Sequence, residues 1–198
     1  MSFNENSERY LVLENLRKAV DMLENTSNFS KLIPEIRTNI VMAISGARSV
    51  SDAAAVEGRI TVVRDKPKAA GCIWFGASSH MARFLLERMK HDPEKRASID
   101  IKFSEEILSI VKGIAVEKGL TVSYFEREKE PEEIRTVEGK TLIWAMDEAI
   151  KNAGGKIPDI IFDRGWIGKE ETINIFGKDA LEVAKIAIEI ANNYHTEK

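Results

Sequence analysis

Ala70-Gly71-Cys72-Ile73-Trp74-Phe75-Gly76-Ala77-Ser78-Ser79-His80-Met81-Ala82-Arg83 is the stretch on which the reading of this chain turns. Ala70 to Phe75 form an apolar run of strand length, Gly76 breaks it, and Met81, Phe84, Leu85 and Met89 resume at helical spacing. A strand that turns through glycine into a helix opening Ser-Ser-His leaves backbone N–H groups unpaired at the helix start. With Gly76, Ala77 and the hydroxyls of Ser78 and Ser79, that turn can receive a phosphate. Taken alone, the stretch is more simply an ordinary N-cap with His80 on the helix surface.

Working outward, Gly58 to Val63 reads as a β-branched strand, and Asp65 to Lys68, with Pro67, as the turn into Ala70–Phe75, which predicts a hairpin. Ile36 to Ile44 reads as a strand, and the small residues Ser45 to Ala55 as a loop or short helix. Glu8 to Glu24 carries a helical stripe (Leu11, Leu16, Ala19, Val20, Leu23) with Ser7 available as cap, and Asn25 to Ser30 is turn-like. This divides the chain into residues 1–30, a helix and hinge, and residues 31–198, a single domain.

Downstream of the helix Ser78 to Lys90, the strand Ile99 to Phe103 leads into a helix capped by Ser104 and ended by Gly119. Thr121 to Phe125 is a strand, and Glu126 to Glu133 is a charge run around Pro131 expected to be a solvated loop. The helix Thr141 to Ala153, the strands Pro158–Asp163 and Thr172–Phe176, and the helix Ala180–Tyr194 complete the chain. Interleaved strands and helices without internal repeats predict a layered α/β fold.

At 198 residues the chain is long enough for one well-formed core. A net charge of −3 without a basic arm argues against nucleic acid as its main partner. The lone Cys72 excludes an internal disulfide and a multi-cysteine zinc site, and its apolar setting predicts a small buried hydrophobe. No run reaches membrane-spanning length and the N-terminus lacks signal-peptide character, so a cytoplasmic protein is expected.

His80, His91 and His195 include no pair at ligand spacing, which makes a histidine-based metal site improbable. Neither a phosphate loop nor a dinucleotide fingerprint is present, and Gly76-Ala77-Ser78-Ser79-His80 is not a nucleophile elbow. What remains is a set of cations at strand ends, Arg59, Arg64, Arg164 and Lys169, where open α/β sheets collect ligands. Arg164 and Lys169 stand out because they occupy a glycine-bounded loop after a buried strand.

Several of these segments, in order, resemble the ThiN family of thiamine-phosphate synthases. They are Leu32 to Ile40, Gly58-Arg59-Ile60, Phe75 to Ala82, His91-Asp92-Pro93-Glu94, Phe103 to Glu106 and Asp163-Arg164-Gly165. The resemblance implies condensation of hydroxymethylpyrimidine pyrophosphate with thiazole phosphate, giving thiamine phosphate and pyrophosphate. It implies a three-layer α/β/α fold with a mixed sheet, like that of class II aldolases, though the aldolase zinc site does not carry over. Arg59 and His80 match the residues tied to activity in that family. Asn39, Gly76, Ala77, Ser78, Ser79, Asp163, Arg164 and Lys169 are the expected substrate contacts. Mg²⁺ on the pyrophosphate is expected, with Asp163 a possible ligand. Expected partners are the two substrates, a possible homodimer and, in a longer protein, a kinase domain. The rival expectation is the ligand-sensing domain of a thiamine-responsive regulator, a version expected to lose the Arg and His retained here.

Overall fold

The computed structural model describes residues 3–135, 137, 139–166 and 168–194, with side chains from residue 7 onward; His195 lies outside the described residues. In chain order the first half comprises α1 (Phe3–Glu24), β1 (Ile40–Ala43), β2 (Ala53–Val56), β3 (Ile60–Val63), β4 (Lys66–Ala69), β5 (Ile73–Phe75) and α2 (Ser79–His91). The second half comprises β6 (Ala97–Lys102), α3 (Glu105–Lys118), β7 (Val122–Phe125), the single turn α4 (Glu132–Arg135), α5 (Lys140–Asn152), β8 (Ile160–Asp163), β9 (Thr172–Gly177) and α6 (Ala180–Asn193). Seven strands form one sheet in the order β5-β2-β1-β6-β9-β8-β7, while β3 and β4 make a separate hairpin. Every neighbouring pair in the large sheet is antiparallel except β7 and β8, so the sheet is mixed.

Side-chain alternation along the strands divides the core into two clusters. Ile40, Met42, Ile99, Ile101, Ile160, Phe162, Ile173 and Ile175 face α1, α3 and α6. Val41, Ala43, Ala53, Ala55, Ile161 and Phe176 face α2 and α5. The result is a three-layer α/β/α arrangement. α1 belongs to it through Val12, Leu16 and Leu23, which are buried with α6 residues in the first cluster. Among the described residues, no helix is long and apolar enough to cross a membrane.

The second layer matters most for the site, because α2 carries His80 near its first turn. Arg88, near the other end of that helix, is 2% exposed and donates to the Pro158 carbonyl at 2.8 Å. Asp92 and Asp159 flank its guanidinium, each at 3.7 Å. This charged pin fixes α2 along the sheet and therefore fixes where its N-terminus opens.

Several local expectations give way. Ala70 to Phe75 is a strand only over Ile73–Phe75, and it pairs with β2 rather than folding back on β3. The true hairpin partner is β4, joined through Arg64 and Asp65, both at positive φ. Twist-matched two-residue turns place both central residues in that region. The small-residue segment before β5 holds a short 3₁₀ turn and then the buried strand Ala53–Val56. Its alanines hide a strand because they lack β-branched character, yet they suit a position crowded between two helical layers. Cys72 is exposed, just ahead of the edge strand β5, whose Trp74 is exposed as well. Ser7 lies inside α1 rather than capping it.

The chain around Glu126–Glu133 is not a plain solvated loop either. Glu130 is 4% exposed, accepts from the Thr141 hydroxyl, and receives Arg135 at its backbone carbonyl at 2.9 Å. Because Leu16 is fully buried between α1 and the sheet layer, Leu16→Ala should lower unfolding free energy by about 2–5 kcal/mol in chemical denaturation. A loss below about 1 kcal/mol would mean that α1 is not part of the cooperative core.

Candidate functional site

The cleft is built where the polar ends of the central strands meet the start of α2. The strand-to-helix turn is as the sequence suggests: Gly76 adopts φ +83, and a built Cβ there meets nothing within 4 Å, so the glycine is required by conformation and not by space. Ser78 occupies the N-cap position with extended backbone, and its side chain makes no capping bond. Ser78, Ser79 and His80, at the start of α2, line a recess of about 430 Å³ together with Arg37, Asn39 and Arg59.

A second recess, of about 630 Å³, shares Ile36, Arg59, Ser79 and His80 with the first and continues beneath α5. Met81, Phe84, Phe125 and Leu142 give it apolar walls; Asp100, Thr172 and Asn174 rise from the sheet below; and Arg83, Arg127, Arg135 and Lys169 ring it with charge. A cleft of this kind has room for a flat ring and a surplus of cations for phosphate oxygens.

Five of the cations around the two recesses, Arg37, Arg59, Arg127, Arg135 and Lys169, are held from behind. Arg59 has φ +70, in the left-handed region that a side chain enters at a cost, and its Nη1 donates to the Ile36 carbonyl at 2.5 Å. Ile36 is itself tied down: the carboxylate oxygens of Glu170 accept from the N–H groups of Glu35 and Ile36 at 2.8 and 2.7 Å. Arg37, at φ +69, donates to the Gly58 carbonyl. Arg127 is paired with Asp163 at 2.5 Å, and Arg135 lies over the Trp166 ring at 4.1 Å. Lys169 is placed by two backbone bonds with Trp166, in a turn that Gly165 makes feasible. A Cβ on Gly165 would stand 2.7 Å from the Lys169 carbonyl.

His80 keeps an exposed edge, but the protein crowded around its ring lowers its pKa, and the positive charges of Arg127, Arg59, Lys169 and Arg83 lower it further. At neutral pH it is therefore an uncharged imidazole, able to donate from one nitrogen and accept at the other. Asp100 behaves in the opposite sense. Burial pushes its carboxyl up to about 7, against the Asn39 N–H and the charge of Arg59, while Glu170 adds to the rise.

The expected site residues are distributed unevenly. Arg59, His80, Asn39, Ala77, Ser78, Ser79 and Lys169 converge on the cleft. Asn39 stands in its wall with the carboxamide engaged, donating to the Val56 carbonyl and accepting from the Val56 N–H, both at 3.2 Å. Gly76 shapes the turn without lining either recess. Asp163 is fully buried, with oxygens taken by Arg127 and by the Gly165 N–H at 2.7 Å, and burial raises its pKa against Arg127. Its place is behind Arg127. Arg164 points to another face, paired with Glu105 at 2.9 Å. Arg64 sits at the hairpin tip, away from both recesses.

Arg37, Arg83, Arg127, Arg135, Asp100 and Asn174 escaped the sequence reading. A signal existed for two of them: Ile99-Asp100-Ile101 and Ile173-Asn174-Ile175 each set a polar residue where a sheet covered on both faces should be apolar.

The donor set does not suit a protein-held Mg²⁺. Among the described residues no group of three or more His, Cys, Asp or Glu converges, and Asp163 and Glu170 already have their oxygens committed.

Comparison with known proteins points one way. The family model for thiamine-phosphate synthase ThiN matches residues 15–189. A thiamine-phosphate synthase ThiN of Methanothermobacter thermautotrophicus is 42% identical over 186 residues, covering 94% of this chain and 95% of that protein. A bifunctional thiamine biosynthesis protein ThiDN of Methanocaldococcus jannaschii is 37% identical over 93% of this chain, which spans 42% of that longer protein. Among solved structures, the C-terminal domain of a phosphomethylpyrimidine kinase is 40% identical, with a TM-score of 0.88 over 92% of this chain and all of that one. The chain belongs to the ThiN family.

Since the folded state holds the Asp100 proton more tightly than an unfolded chain does, wild-type stability should fall as pH rises from about 4 to about 7. An amide cannot ionise. Asp100→Asn should therefore melt above wild type at about pH 8, with the gap closing by about pH 4, as followed by thermal unfolding. A gap independent of pH would show that Asp100 is not a desolvated carboxyl.

Proposed function

We propose that this ThiN-family chain condenses hydroxymethylpyrimidine pyrophosphate with thiazole phosphate to give thiamine phosphate and pyrophosphate. The observation that carries the proposal is the convergence of Arg59, Arg83, Arg127 and Lys169 on a neutral His80, at the junction of an anion-sized recess and a ring-sized one. Two anionic substrates need charge in two places, and this cleft supplies it in two places.

In this reading the diphosphate occupies the recess between Arg37, Arg59 and the start of α2. The heteroaromatic ring lies below it against Phe84 and Leu142, and the thiazole phosphate approaches from the side of Arg127, Arg135 and Lys169. The methylene C–O bond breaks and its electron pair leaves with pyrophosphate. The pyrimidine amine shares the positive charge left on carbon, and the thiazole nitrogen closes the new C–N bond. No protein nucleophile is needed.

Arg59 acts on the leaving group: its guanidinium fork is permanently charged and already oriented by the Ile36 carbonyl, so little rearrangement is required as charge develops. His80, entering uncharged, donates an N–H to a leaving oxygen. Mg²⁺ would ride on the diphosphate oxygens and water, since the described carboxylates form no cage for it.

The test is turnover. Wild type should convert the two substrates to thiamine phosphate and pyrophosphate in equal amounts. Arg59→Ala should lower kcat by about 10²–10³-fold, with Arg59→Lys recovering only part of that because a point charge cannot replace the fork. His80→Ala should lower kcat by about 10²-fold or more. Wild type that binds thiamine phosphate yet forms none would replace the synthase with a sensor. Full turnover in both alanine variants would remove Arg59 and His80 from the mechanism.

A further inference from the structure

The floor of the larger recess carries polar groups that the sheet does not need. Asp100 on β6 and Asn174 on β9 are directly opposite in the antiparallel register, and alternation sends both side chains to the same face. Each is 6% exposed, and both line the cavity. One Asp100 oxygen accepts the Asn39 N–H at 2.6 Å. Among the described residues no cation closes an ion pair with Asp100, and the Asn174 carboxamide has no hydrogen-bond partner. A carboxyl without an ion pair and an amide without a protein partner, both lining an open cavity, leave polar groups free to engage a ligand. This face of the sheet also accepts apolar side chains, as Val41 on β1, Ile161 on β8 and Phe176 on β9 show.

The pair has a definite chemical complement. A carboxylate offers acceptors only, while a carboxamide offers donors and an acceptor. Side by side under the flat walls of Phe84 and Phe125, they match a heteroaromatic ring bearing an amine next to a ring nitrogen. Of the two substrates in the synthase reading, on which this inference rests, only the aminopyrimidine has that edge; the thiazole has no N–H to give.

We propose that Asp100 and Asn174 form the recognition site for the amidine edge of the aminopyrimidine, Asp100 accepting from the exocyclic amine and Asn174 donating to the ring nitrogen. The arrangement sets the ring with its methylene turned toward Arg59 and His80, which line both recesses. It also gives Asp100 a part in the reaction. As the C–O bond breaks and its electron pair departs with pyrophosphate, positive charge spreads onto the amine. A carboxylate hydrogen-bonded to that amine stabilises it until the thiazole nitrogen supplies the pair for the C–N bond. No proton is gained or lost overall.

The experiment is equilibrium binding of hydroxymethylpyrimidine pyrophosphate and of its counterpart with hydrogen in place of the amine, without thiazole phosphate, so that turnover plays no part. Wild type should prefer the amino compound by about 10²-fold or more, because a site built around a hydrogen bond rejects the analogue lacking it. Asp100→Asn should cut that preference to about tenfold or less, and Asn174→Ala should weaken binding of both compounds by about tenfold, with affinity for inorganic pyrophosphate held within about twofold in each variant. Asn174→Ala gives up no bond made within the described protein, so it remains informative if the Asp100 variant fails to fold. Equal affinity of wild type for both compounds, undiminished preference in Asp100→Asn, or unchanged affinity of Asn174→Ala for both compounds overturns the assignment. Retained discrimination in a protein that forms no thiamine phosphate would sink the synthase reaction but leave this site. Loss of discrimination in an active synthase would sink this site alone.

Discussion

Like charges crowded around one histidine repel one another, and the rest of the cleft answers that constraint. Arg59, Arg83, Arg127 and Lys169 all act on His80, so each must be held against the repulsion of the others before any anion arrives. The fold holds Arg59, Arg127 and Lys169, and Arg135 beside them, from behind. A backbone carbonyl orients Arg59, a buried carboxylate holds Arg127, an indole face supports Arg135, and a tight turn presents Lys169. These supports leave the surfaces facing the cavity for ligand. A cleft organised in this way is ready for anions and needs little rearrangement to stabilise charge as it develops.

The second determinant is the sheet. Its α2/α5 face is apolar over most of its width, then turns polar along one end of the central strands, at Asn39, Asp100, Thr172 and Asn174. Asn39 shows how little of this polarity is free for ligand. Its carboxamide imitates a strand backbone against Val56, and its N–H is taken by Asp100. The Arg88 pin then fixes where α2 begins relative to that floor. Anion recess, ring recess and the residues between them therefore follow from one register and one helix placement.

Much of this could be read from residues alone, for physical reasons that differ from place to place. The Gly76 turn and the helix after it were legible because a glycine break and a change of period are local signals. The three-layer fold followed from interleaved elements together with family resemblance. The β5 pairing was not legible, since Ala70 to Phe75 looks like half of a hairpin with the preceding strand, and only the long-range register shows that β2 takes it. Arg127 and Arg135 were lost in a charge run that reads as solvent-facing; nothing local says that Glu130 is buried or that Asp163 reaches back to Arg127. Asp163, read as a substrate or metal contact, stands instead behind the arginine, because its place after a buried strand is the same in both cases. Asp100 and Asn174 were visible as interruptions in isoleucine-rich strands, but their pairing needed the β6–β9 register.

The central claim is that this cleft holds a diphosphate and a ring-bearing phosphate at the same time, in two recesses that meet at Arg59 and His80. Calorimetric titration of inorganic pyrophosphate into protein saturated with thiamine phosphate addresses it most directly. The account predicts a ternary complex, with pyrophosphate affinity lowered by no more than about tenfold through repulsion between the two anions. Strict competition, with apparent affinity falling in proportion to thiamine phosphate concentration, would mean a single anion site and would contradict the account.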